Sequence, residues 1–421
     1  MGKTILVCGA NGFIGRALCD ALGAAGHRVV RGVRQARQAD EVSIDYLHDT
    51  DAAGWAARLR GVDVVVNAVG ILVERGAQRF DRIHADGPIA LFDACVAAGV
   101  GQVIQISALG AGQGDTAYYR SKRAADAHLL SLPLCGHVLR PALVYGEEGD
   151  SARFFRALAS APLQALPGSG RQVLRPIHVD ELAEIVVRLV AQGNAAAPAV
   201  ADLVGGTEIA YRDMLRVYRR AMGFAPAWQV GVPAPLVSLA AALLDHVPGA
   251  ILTRDTWKML RAGNTADAAA TTALLGRAPA GLETFVDAAS APRLRQAALA
   301  AWRPALMRVV LALIWIGSAV CSAFVFPRED SLALLAGVHL HGGLALATLY
   351  AASALDLALG IATLAWPGRR LWAAQIGLVL VYTLIVALAL PEFLWHPFAP
   401  LIKNAAVLAV LVMLLSEEPQ S

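Results

Sequence analysis

Three glycines, each three residues from the next, follow the first apolar run of the chain and open its first helical pattern. The run Thr4–Cys8 has strand composition, and the sequence after it reads Gly-Ala-Asn-Gly-Phe-Ile-Gly. Glycines at such a turn let the backbone approach a pyrophosphate closely, and the helix N-terminus directs unpaired N–H groups at it. This position, between a first strand and a first helix, predicts a dinucleotide site. The predicted cofactor-binding residues of the turn are Gly9, Asn11, Gly12, Phe13, Ile14 and Gly15.

Residues 1–190 alternate short apolar runs with Ala-rich helical patterns. Continuous apolar strands suit a sheet that is covered on both faces, and strand–helix–strand alternation favours parallel strands. We therefore predict an α/β fold with a doubly wound parallel sheet, the Rossmann architecture. The predicted strands are Thr4–Cys8, Arg28–Gly32, Val62–Asn67, Val103–Ser107 and Gly136–Arg140. The predicted helices are Gly12–Ala25, Pro88–Ala98 and Tyr118–Leu132.

The second predicted strand ends in basic rather than acidic residues. A carboxylate at its end would bind the ribose 2′-hydroxyl of NAD, but the strand continues as Arg31-Gly32-Val33-Arg34. An arginine pairs with a 2′-phosphate through charge-assisted, bidentate hydrogen bonds. Arg34, together with Arg31 or Arg37, therefore predicts NADP(H) as the preferred cofactor, with NAD(H) as the alternative.

A tyrosine and a lysine four residues apart are the catalytic candidates. On a helix, Tyr118 and Lys122 share one face. A cationic Lys122 beside Tyr118 would favour the phenolate and lower the pKa of the phenol, which would make Tyr118 a general acid or base near neutral pH. Ser107 ends a predicted strand, where open α/β sheets bind ligands, and its hydroxyl could bind a substrate carbonyl.

The composition indicates that part of the chain lies in lipid. Charged residues make up 16% of the 421 residues and mean hydropathy is +0.53, whereas soluble domains carry about 25% charge. A spanning helix needs about 20 apolar residues. We predict an all-α domain of four transmembrane helices near 306–326, 344–366, 371–390 and 399–416, with a short interfacial or re-entrant helix at Ser331–His341.

Charges beside the predicted spans give an orientation. Four arginines precede or open the first span, and Arg369 and Arg370 separate the second from the third. The positive-inside rule then places both termini and the Rossmann domain of this multi-pass protein on the cytoplasmic side of the bilayer. A net charge of +3, without basic runs interleaved with aromatics, argues against nucleic acid as a partner. The five cysteines form no C-x-x-C pair, and the sequence predicts no metal site.

Residues 190–285 have a looser pattern that is richer in Pro and Gly, and we interpret them as a small lobe that closes over the substrate. Within it, Ala225–Leu244 has no formal charge but contains three prolines. We interpret this stretch as a core or interfacial helix in preference to a membrane span. The predicted domains are 1–290, including this lobe, and 303–418.

The motifs together resemble the extended or atypical short-chain dehydrogenase/reductase family over residues 3–215, and are most similar to the branch that contains the NADPH-binding accessory subunit of respiratory complex I. The resemblance implies that Tyr118 transfers a proton, Lys122 holds the nicotinamide ribose, and Ser107 positions the substrate. It also adds Asn67 and Gly70 to the predicted cofactor-binding residues, beside the glycine turn, Tyr118 and Lys122. The motifs are Gly9/Gly12/Gly15, Asn67–Gly70, Ser107, Tyr118/Lys122, Leu139–Gly146, Ile177–Asp180 and Leu203–Gly206.

One position departs from the family pattern. Many members have an asparagine on the helix after the fourth strand, where it supports a proton relay, and here His84 occupies that position. A water-binding or proton-relay histidine and a structural histidine are equally compatible with the sequence.

The C-terminal part resembles the DoxX-like membrane family over residues 303–416. The resemblance is based on the four hydrophobic segments, on His396-Pro397-Phe398-Ala399-Pro400, and on Lys403-Asn404. It implies an architecture and no particular chemistry.

These expectations combine into a membrane-anchored oxidoreductase that transfers hydride between NADP(H) and a carbonyl or alcohol, with a lipophilic or quinone-like substrate. The alternatives are a non-catalytic NADPH-binding protein of a membrane respiratory complex, and a sugar-nucleotide epimerase or dehydratase. The expected partners are a small-molecule substrate, the lipid bilayer and, in the non-catalytic alternative, a membrane protein complex.

Overall fold

The chain divides into two compact units, Met1–Ala298 and Leu299–Ser421. The computed structural model describes residues 2–193, 198–247, 250–397 and 399–418. Phe398 of the DoxX-like motif, and residues 194–197 and 248–249 of the predicted lobe, lie outside the described residues.

The first unit is built on a seven-stranded sheet in which every neighbouring pair of strands is parallel. Its order is β11-β6-β5-β4-β1-β2-β3. The five predicted strands are all present, and the doubly wound parallel sheet is confirmed. The strands of this sheet are β1 Thr4–Cys8, β2 Arg28–Val33, β3 Glu41–Ser43, β4 Val64–Asn67, β5 Gln102–Ile106, β6 Cys135–Pro141 and β11 Val200–Leu203. Six further strands form two-stranded pairs: β7 Val144–Tyr145, β8 Leu163–Pro167, β9 Val173–Leu174, β10 Ile177–His178, β12 Ile209–Ala210 and β13 Trp228–Val232.

The three predicted helices of this unit are confirmed to within one residue at each end. A π-helix, Asp81–Asp86, leads directly into the second of them. The helices of the first unit are α1 Phe13–Ala24, α2 Gly87–Ala98, α3 Ala117–Ser131, α4 Asp150–Ser160, α5 Val179–Gln192, α6 Tyr211–Ala221, α7 Ala234–Leu244, α8 Arg254–Ala262, α9 Ala269–Leu275 and α10 Ala291–Ala300, which runs past the unit boundary. Short 3₁₀ turns lie at Ala52–Trp55 and Leu282–Thr284.

The sheet has an apolar core on each face, which explains why its strands are apolar throughout. In β4 all four residues are buried. Alternate residues of the strands point to opposite faces, so Val64 and Val66 join the core under α1 and α5 while Val65 joins the core under α2 and α3. A strand this apolar is stable only between two helical layers.

A third core lies outside the sheet and defines the smaller lobe, whose predicted bounds of 190–285 are wrong: the lobe takes in α4 and the start of α10, whereas β11 and α9 pack with the main sheet. It packs α4, α6 and the start of α10 around Tyr145, Tyr218 and Phe285. In the same lobe α7 is a surface helix: only Val237 and Ala241 of its residues are buried. The core alternative for Ala225–Leu244 is therefore wrong, because the other apolar side chains of the helix face outward.

The second unit is helical, and four helices among its described residues are long and apolar enough to cross a membrane. They correspond to the four predicted spans, and a short helix occupies the predicted stretch before the second of them. Polar side chains meet inside the bundle, where the Trp315 Nε1–H donates to Gln375 (2.9 Å) and the Ser318 hydroxyl to Asp356 (2.9 Å). The elements are α11 Arg303–Val320 with a π-turn Cys321–Val325, α12 Arg328–Gly337, α13 Gly342–Ala365, α14 Arg369–Ala389, a 3₁₀ turn Pro391–Leu394, and α15 Pro400–Glu417.

Candidate active site

The glycine turn between β1 and α1 has a backbone that side chains would not permit. Gly9 has φ +82°, a left-handed conformation that favours glycine. A Cβ on Gly15 would lie 2.0 Å from the carbonyl oxygen of Gly9, so the helix can pack against the turn only without a side chain there. No side chain caps the start of α1, so its first N–H groups remain free for an anion.

A cavity of about 730 Å³ opens in front of this turn. Its volume is within the range of small-molecule and cofactor sites. Of the predicted cofactor-binding residues, Gly9, Asn11, Gly12, Arg34 and Gly70 line it. The others of the turn lie behind this wall: Ile14 packs against the core of the sheet, and Phe13 lines a separate hollow with Gly146 and His178.

The basic end of the cavity also contains two carboxylates, which sequence reasoning missed. Glu41 and Asp45 come from β3 and the loop after it, a strand too short for its pattern to show. Glu41 accepts the backbone N–H groups of Arg37 and Gln38 (2.7 and 3.1 Å). Burial opposes ionisation of Asp45, but hydrogen bonds from the Leu47 amide and His48, with the charge of Arg34, lower its pKa overall. Both carboxylates are thus satisfied within their own loop.

Arg34 and Arg37 line the cavity, whereas Arg31 is directed to the glycine turn and donates to the Asn11 side chain at 3.5 Å. The fit to a dinucleotide is therefore supported at two points, by the uncapped helix start for the diphosphate and by two arginines for a 2′-phosphate.

Asn67 is a support for the cavity wall, because its side chain is buried beneath it. Its Oδ1 accepts from the Tyr46 hydroxyl (2.8 Å) and the Val69 amide (3.2 Å), and its Nδ2 donates to Gln105 (2.7 Å). These bonds fix the loop that carries Gly70. A Cβ on Gly70 would lie 3.1 Å from the Lys122 Nζ, so this loop joins the cavity to the catalytic candidates.

Tyr118 and Lys122 lie on one face of α3, as their spacing predicts, but the expected pKa shift of the tyrosine is wrong. Burial raises the pKa of Tyr118, and the neighbouring Tyr119 and Asp126 raise it further. The Lys122 ammonium donates to the carbonyl oxygens of Ile106 and Val69 (3.3 and 3.4 Å). Tyr118 is therefore a neutral phenol at neutral pH, packed edge-on against the rings of Phe80 and His84.

The pKa of the Lys122 ammonium is lower than that of an exposed lysine. Burial lowers this pKa to about 8, and the negative charge of Asp126 limits the fall. The ammonium is thus present at neutral pH next to the Gly70 edge of the cavity.

His84 has both ring nitrogens occupied. Its Nε2 accepts the Ile71 amide at 3.0 Å, which places the ring proton on Nδ1, and Nδ1 faces the Ser121 hydroxyl at 3.0 Å. That hydroxyl donates to the Tyr118 carbonyl oxygen at 2.9 Å. Burial lowers the pKa of His84 to about 2, and the Lys122 charge adds to this. Of the two alternatives, the geometry favours the structural histidine, which ties α3 to the loop of Ile71.

Ser107 belongs to a buried network that sequence reasoning missed. Its hydroxyl donates to Asp126 Oδ2 at 2.7 Å, and Arg140 Nε donates to the same oxygen at 3.3 Å. The other oxygen of Asp126 is buried and has no hydrogen-bond partner among the described residues. The signal was present in the sequence, because Tyr118, Lys122 and Asp126 recur at every fourth position and therefore share one helix face.

Comparisons with known proteins agree with this geometry. Residues 5–201 match the NAD-dependent epimerase/dehydratase family and residues 312–412 the DoxX-like family. An uncharacterized chloroplastic protein of Arabidopsis thaliana is 30% identical over 218 residues, which cover 45% of this chain and 71% of that protein. A ceramide reductase of Caulobacter vibrioides is 28% identical over 255 residues, or 57% of this chain and 77% of the relative.

Solved structures show the same fold. A UDP-glucuronic acid 4-epimerase of Bacillus cereus, in complex with UDP-glucuronic acid and NAD, matches with a TM-score of 0.52 at 19% identity, over 70% of this chain and 99% of that one. An NADPH-dependent quinone oxidoreductase of Escherichia coli matches with a TM-score of 0.54 at 17% identity, over 67% and 98% of the two chains. The fold is thus that of nicotinamide-binding enzymes. The chain belongs to the NAD-dependent epimerase/dehydratase family, within the NAD(P)-dependent oxidoreductases and epimerases, and carries a DoxX-like membrane domain.

Proposed function

We propose that this protein is a membrane-anchored, NADP(H)-dependent reductase that interconverts a lipophilic carbonyl and its alcohol. The observation that carries the proposal is that a neutral Tyr118 phenol shares one face of α3 with a cationic Lys122, whose ammonium lies beside the Gly70 edge of the dinucleotide cavity. This arrangement supports a proton donor and a cation at the nicotinamide end of a bound cofactor.

The residues divide the chemistry of carbonyl reduction between them. When bound, the reduced nicotinamide supplies a hydride to the carbonyl carbon. Tyr118 provides the proton for the carbonyl oxygen, and its raised pKa keeps the phenol protonated at neutral pH before the transfer. Lys122 would hold the ribose and stabilise the phenolate that remains after proton transfer. Ser107 gives its proton to Asp126 and not, as expected, to a substrate carbonyl, so toward a ligand its oxygen offers lone pairs that can accept from the hydroxyl of the alcohol.

The preference for NADP(H) is supported by the arginines of the cavity. Arg34 and Arg37 line its basic end, while Glu41 and Asp45 are engaged by the amides of their own loop. A 2′-phosphate would find two cations there and no unbonded carboxylate among these residues. Asn67 and the glycine turn would hold the cofactor indirectly, through the loop of Gly70 and the start of α1.

The lipophilic substrate is inferred from location and from relatives. The chain carries four helices suited to a bilayer, and a relative is named a ceramide reductase. A keto group on a lipid, or a quinone, fits both observations. The lobe built on α4, α6 and α7 would cover the substrate, and the arginines beside the spans would keep the first unit on the cytoplasmic side.

A turnover assay tests the proposal. The full chain in detergent is given NADPH with a panel of ceramide-type ketones, quinones and nucleotide sugars, and wild type is compared with Tyr118→Phe and the ring-neighbour control Tyr119→Phe. We expect NADPH oxidation with a lipid substrate, and a fall of about 10²–10⁴-fold in Tyr118→Phe alone, with cofactor binding intact.

Two results would contradict the proposal. Turnover of a nucleotide sugar without net cofactor oxidation would identify an epimerase. Tight NADPH binding without turnover of any substrate, together with a co-purifying membrane complex, would identify the non-catalytic role.

A second experiment tests the cofactor preference. Loss of the hydrogen bonds from Arg34 to a charged phosphate costs about 1.5–3 kcal/mol, so Arg34→Ala should weaken NADPH binding and leave NADH binding unchanged. Arg60→Ala, an exposed position outside the cavity lining, is the matched control. Tighter binding of NADH than of NADPH by wild type would overturn the preference.

A further inference from the structure

Helix α7 presents an apolar face to solvent. Leu236, Leu239 and Leu243 are 57, 58 and 65% exposed, and their spacing of three and four residues places them on one side of the helix. The helix contains no charged residue. Its inner side packs through Val237 and Ala241 against Trp257 of α8.

The strand pair β8–β13 presents a second apolar face. Leu163 pairs with Trp228, and Ala165 pairs with Val230. All four are exposed, Trp228 to 80%, whereas the alternate residues of the pair bury Gln164 and Leu166. A strand with one face in water normally alternates apolar with polar residues. In this strand pair the outward-facing residues are apolar instead.

The two faces belong to elements that share one core. Val232 is the last residue of β13, on the same side of the strand as Trp228 and Val230, and it packs against the core between α7 and α8. The apolar surface consists of two sets, Leu236, Leu239 and Leu243 on α7 and Leu163, Trp228 and Val230 on the strand pair. Single exposed apolar residues are ordinary on soluble proteins, but sets of neighbouring ones such as these mark an interaction site.

Basic residues flank this surface. The helix packed against α7 carries Arg254, Lys258 and Arg261 against one carboxylate, Asp255. All three cations are exposed; Arg254 is paired with Asp245 at 3.3 Å, whereas Lys258 and Arg261 form no ion pair with the described residues. A tryptophan and leucines beside lysine and arginine are the composition of segments that lie at the boundary of anionic lipid headgroups.

We propose that the apolar surface of α7 and β8–β13 docks onto the lipid bilayer. The occupant is a bilayer, and not a protein, because the surface joins an exposed tryptophan to flanking cations and because the same chain carries four membrane-spanning helices. These four helices would tether the first unit near the lipid at high local concentration, so that even a small apolar surface stays bound to the bilayer. Docking would hold the substrate lobe at the depth from which a lipid is taken up.

Fluorescence quenching by labelled lipid tests this directly in the full chain. Leu239→Cys and, separately, Leu243→Cys are introduced with Cys321→Ser, which removes the exposed native cysteine, and are labelled with an environment-sensitive fluorophore. The protein is reconstituted in phosphatidylcholine–phosphatidylglycerol vesicles with and without nitroxide on the acyl chain. Ala24→Cys, an exposed position on α1, is the control.

Because interfacial segments lie about 5–10 Å into the headgroup boundary, we expect nitroxide lipid to reduce emission at both leucine positions to less than about half, with no change at the control. Lys258→Glu with Arg261→Glu should weaken the quenching in anionic vesicles only. A blue-shifted label without quenching would show that protein covers the surface, either a second copy or the chain's own helices. A water-exposed label would show that nothing covers it. Either result would overturn the proposal.

Discussion

Helices α3 and α7 depart from the ordinary amphipathic pattern in opposite directions. Helix α3 buries the polar residues Ser121, Lys122 and Asp126, whereas α7 exposes three leucines and buries only Val237 and one alanine. Both departures oppose folding, because a buried polar group needs partners and exposed apolar area loses its burial energy.

The way in which each helix compensates identifies its role. Each of the three buried polar or charged residues of α3 has a partner: Ser121 bonds to His84, Lys122 to two carbonyl oxygens, and one oxygen of Asp126 to Ser107, while its other oxygen has none among the described residues. The exposed face of α7 has no such partner among the described residues of the first unit. Buried polar groups that find their partners within the unit indicate a preorganised site. An exposed apolar face that the unit does not cover indicates an external partner.

The largest expected effect is the loss of the Asp126 carboxylate. Asp126→Ala removes the acceptor of Ser107 and leaves Arg140 without its ion partner at 3.3 Å. Breaking a buried pair in this way costs about 3–5 kcal/mol of the free energy of unfolding. Urea unfolding of the solubilised chain measures it. The exposed pair Asp115–Arg120 supplies the control Asp115→Ala, for which we expect less than about 1 kcal/mol. Equal losses in the two variants would remove the distinction between buried and exposed partners.

The next effect separates a structural histidine from a proton relay. His84→Phe removes both ring hydrogen bonds and leaves the Ile71 amide without its acceptor, which should cost about 1–3 kcal/mol of the free energy of unfolding. Since the pKa of His84 is lowered to about 2, the residue stays neutral throughout an assay, and the pH profile of turnover should not change. A shifted pH profile in the variant would instead support the interpretation of His84 as a proton relay.

A pH dependence follows from Lys122. Its pKa is lowered to about 8 by burial, so the cation is present below that pH and is lost as pH rises through it. NADPH affinity should therefore fall above about pH 8, and Lys122→Arg, which stays charged, should abolish the fall. The free energy of unfolding should instead rise with pH in this range, because between about pH 8 and 10.4 the unfolded chain binds the proton that the folded chain has lost. Titrations of NADPH binding against pH measure the first effect.

The smallest effect on stability is expected at α7. Leu239→Gln changes an exposed side chain and should alter the free energy of unfolding by no more than about 0.5 kcal/mol. Thermal unfolding of the solubilised chain measures this. A large destabilisation would show that the leucine is packed, and would end the contrast with α3.

The sequence predicted the structure well at positions where a single physical reason requires one type of residue. Gly9 and Gly15 could be read as a turn because no side chain fits there, and apolar runs such as Val64–Asn67 could be read as strands covered on both faces. It was less informative where partners come from distant positions. The shift of the Tyr118 pKa depends on burial, which overrides the Lys122 charge that spacing alone suggested.

Asp126 was missed for a similar reason. Its spacing from Lys122 is visible, but its bond to Ser107 joins residues on different elements, and local pattern does not reveal it. The same holds for Asp45, whose place beside Arg34 depends on a three-residue strand.

The central claim is that the cavity beside the glycine turn binds a nicotinamide dinucleotide, and calorimetry of the full chain in detergent tests it most directly. We expect the wild-type chain to bind NADPH saturably and NADH more weakly. Gly15→Leu, whose side chain would meet the Gly9 carbonyl, should bind neither. A folded wild-type chain that binds neither nucleotide would contradict the account.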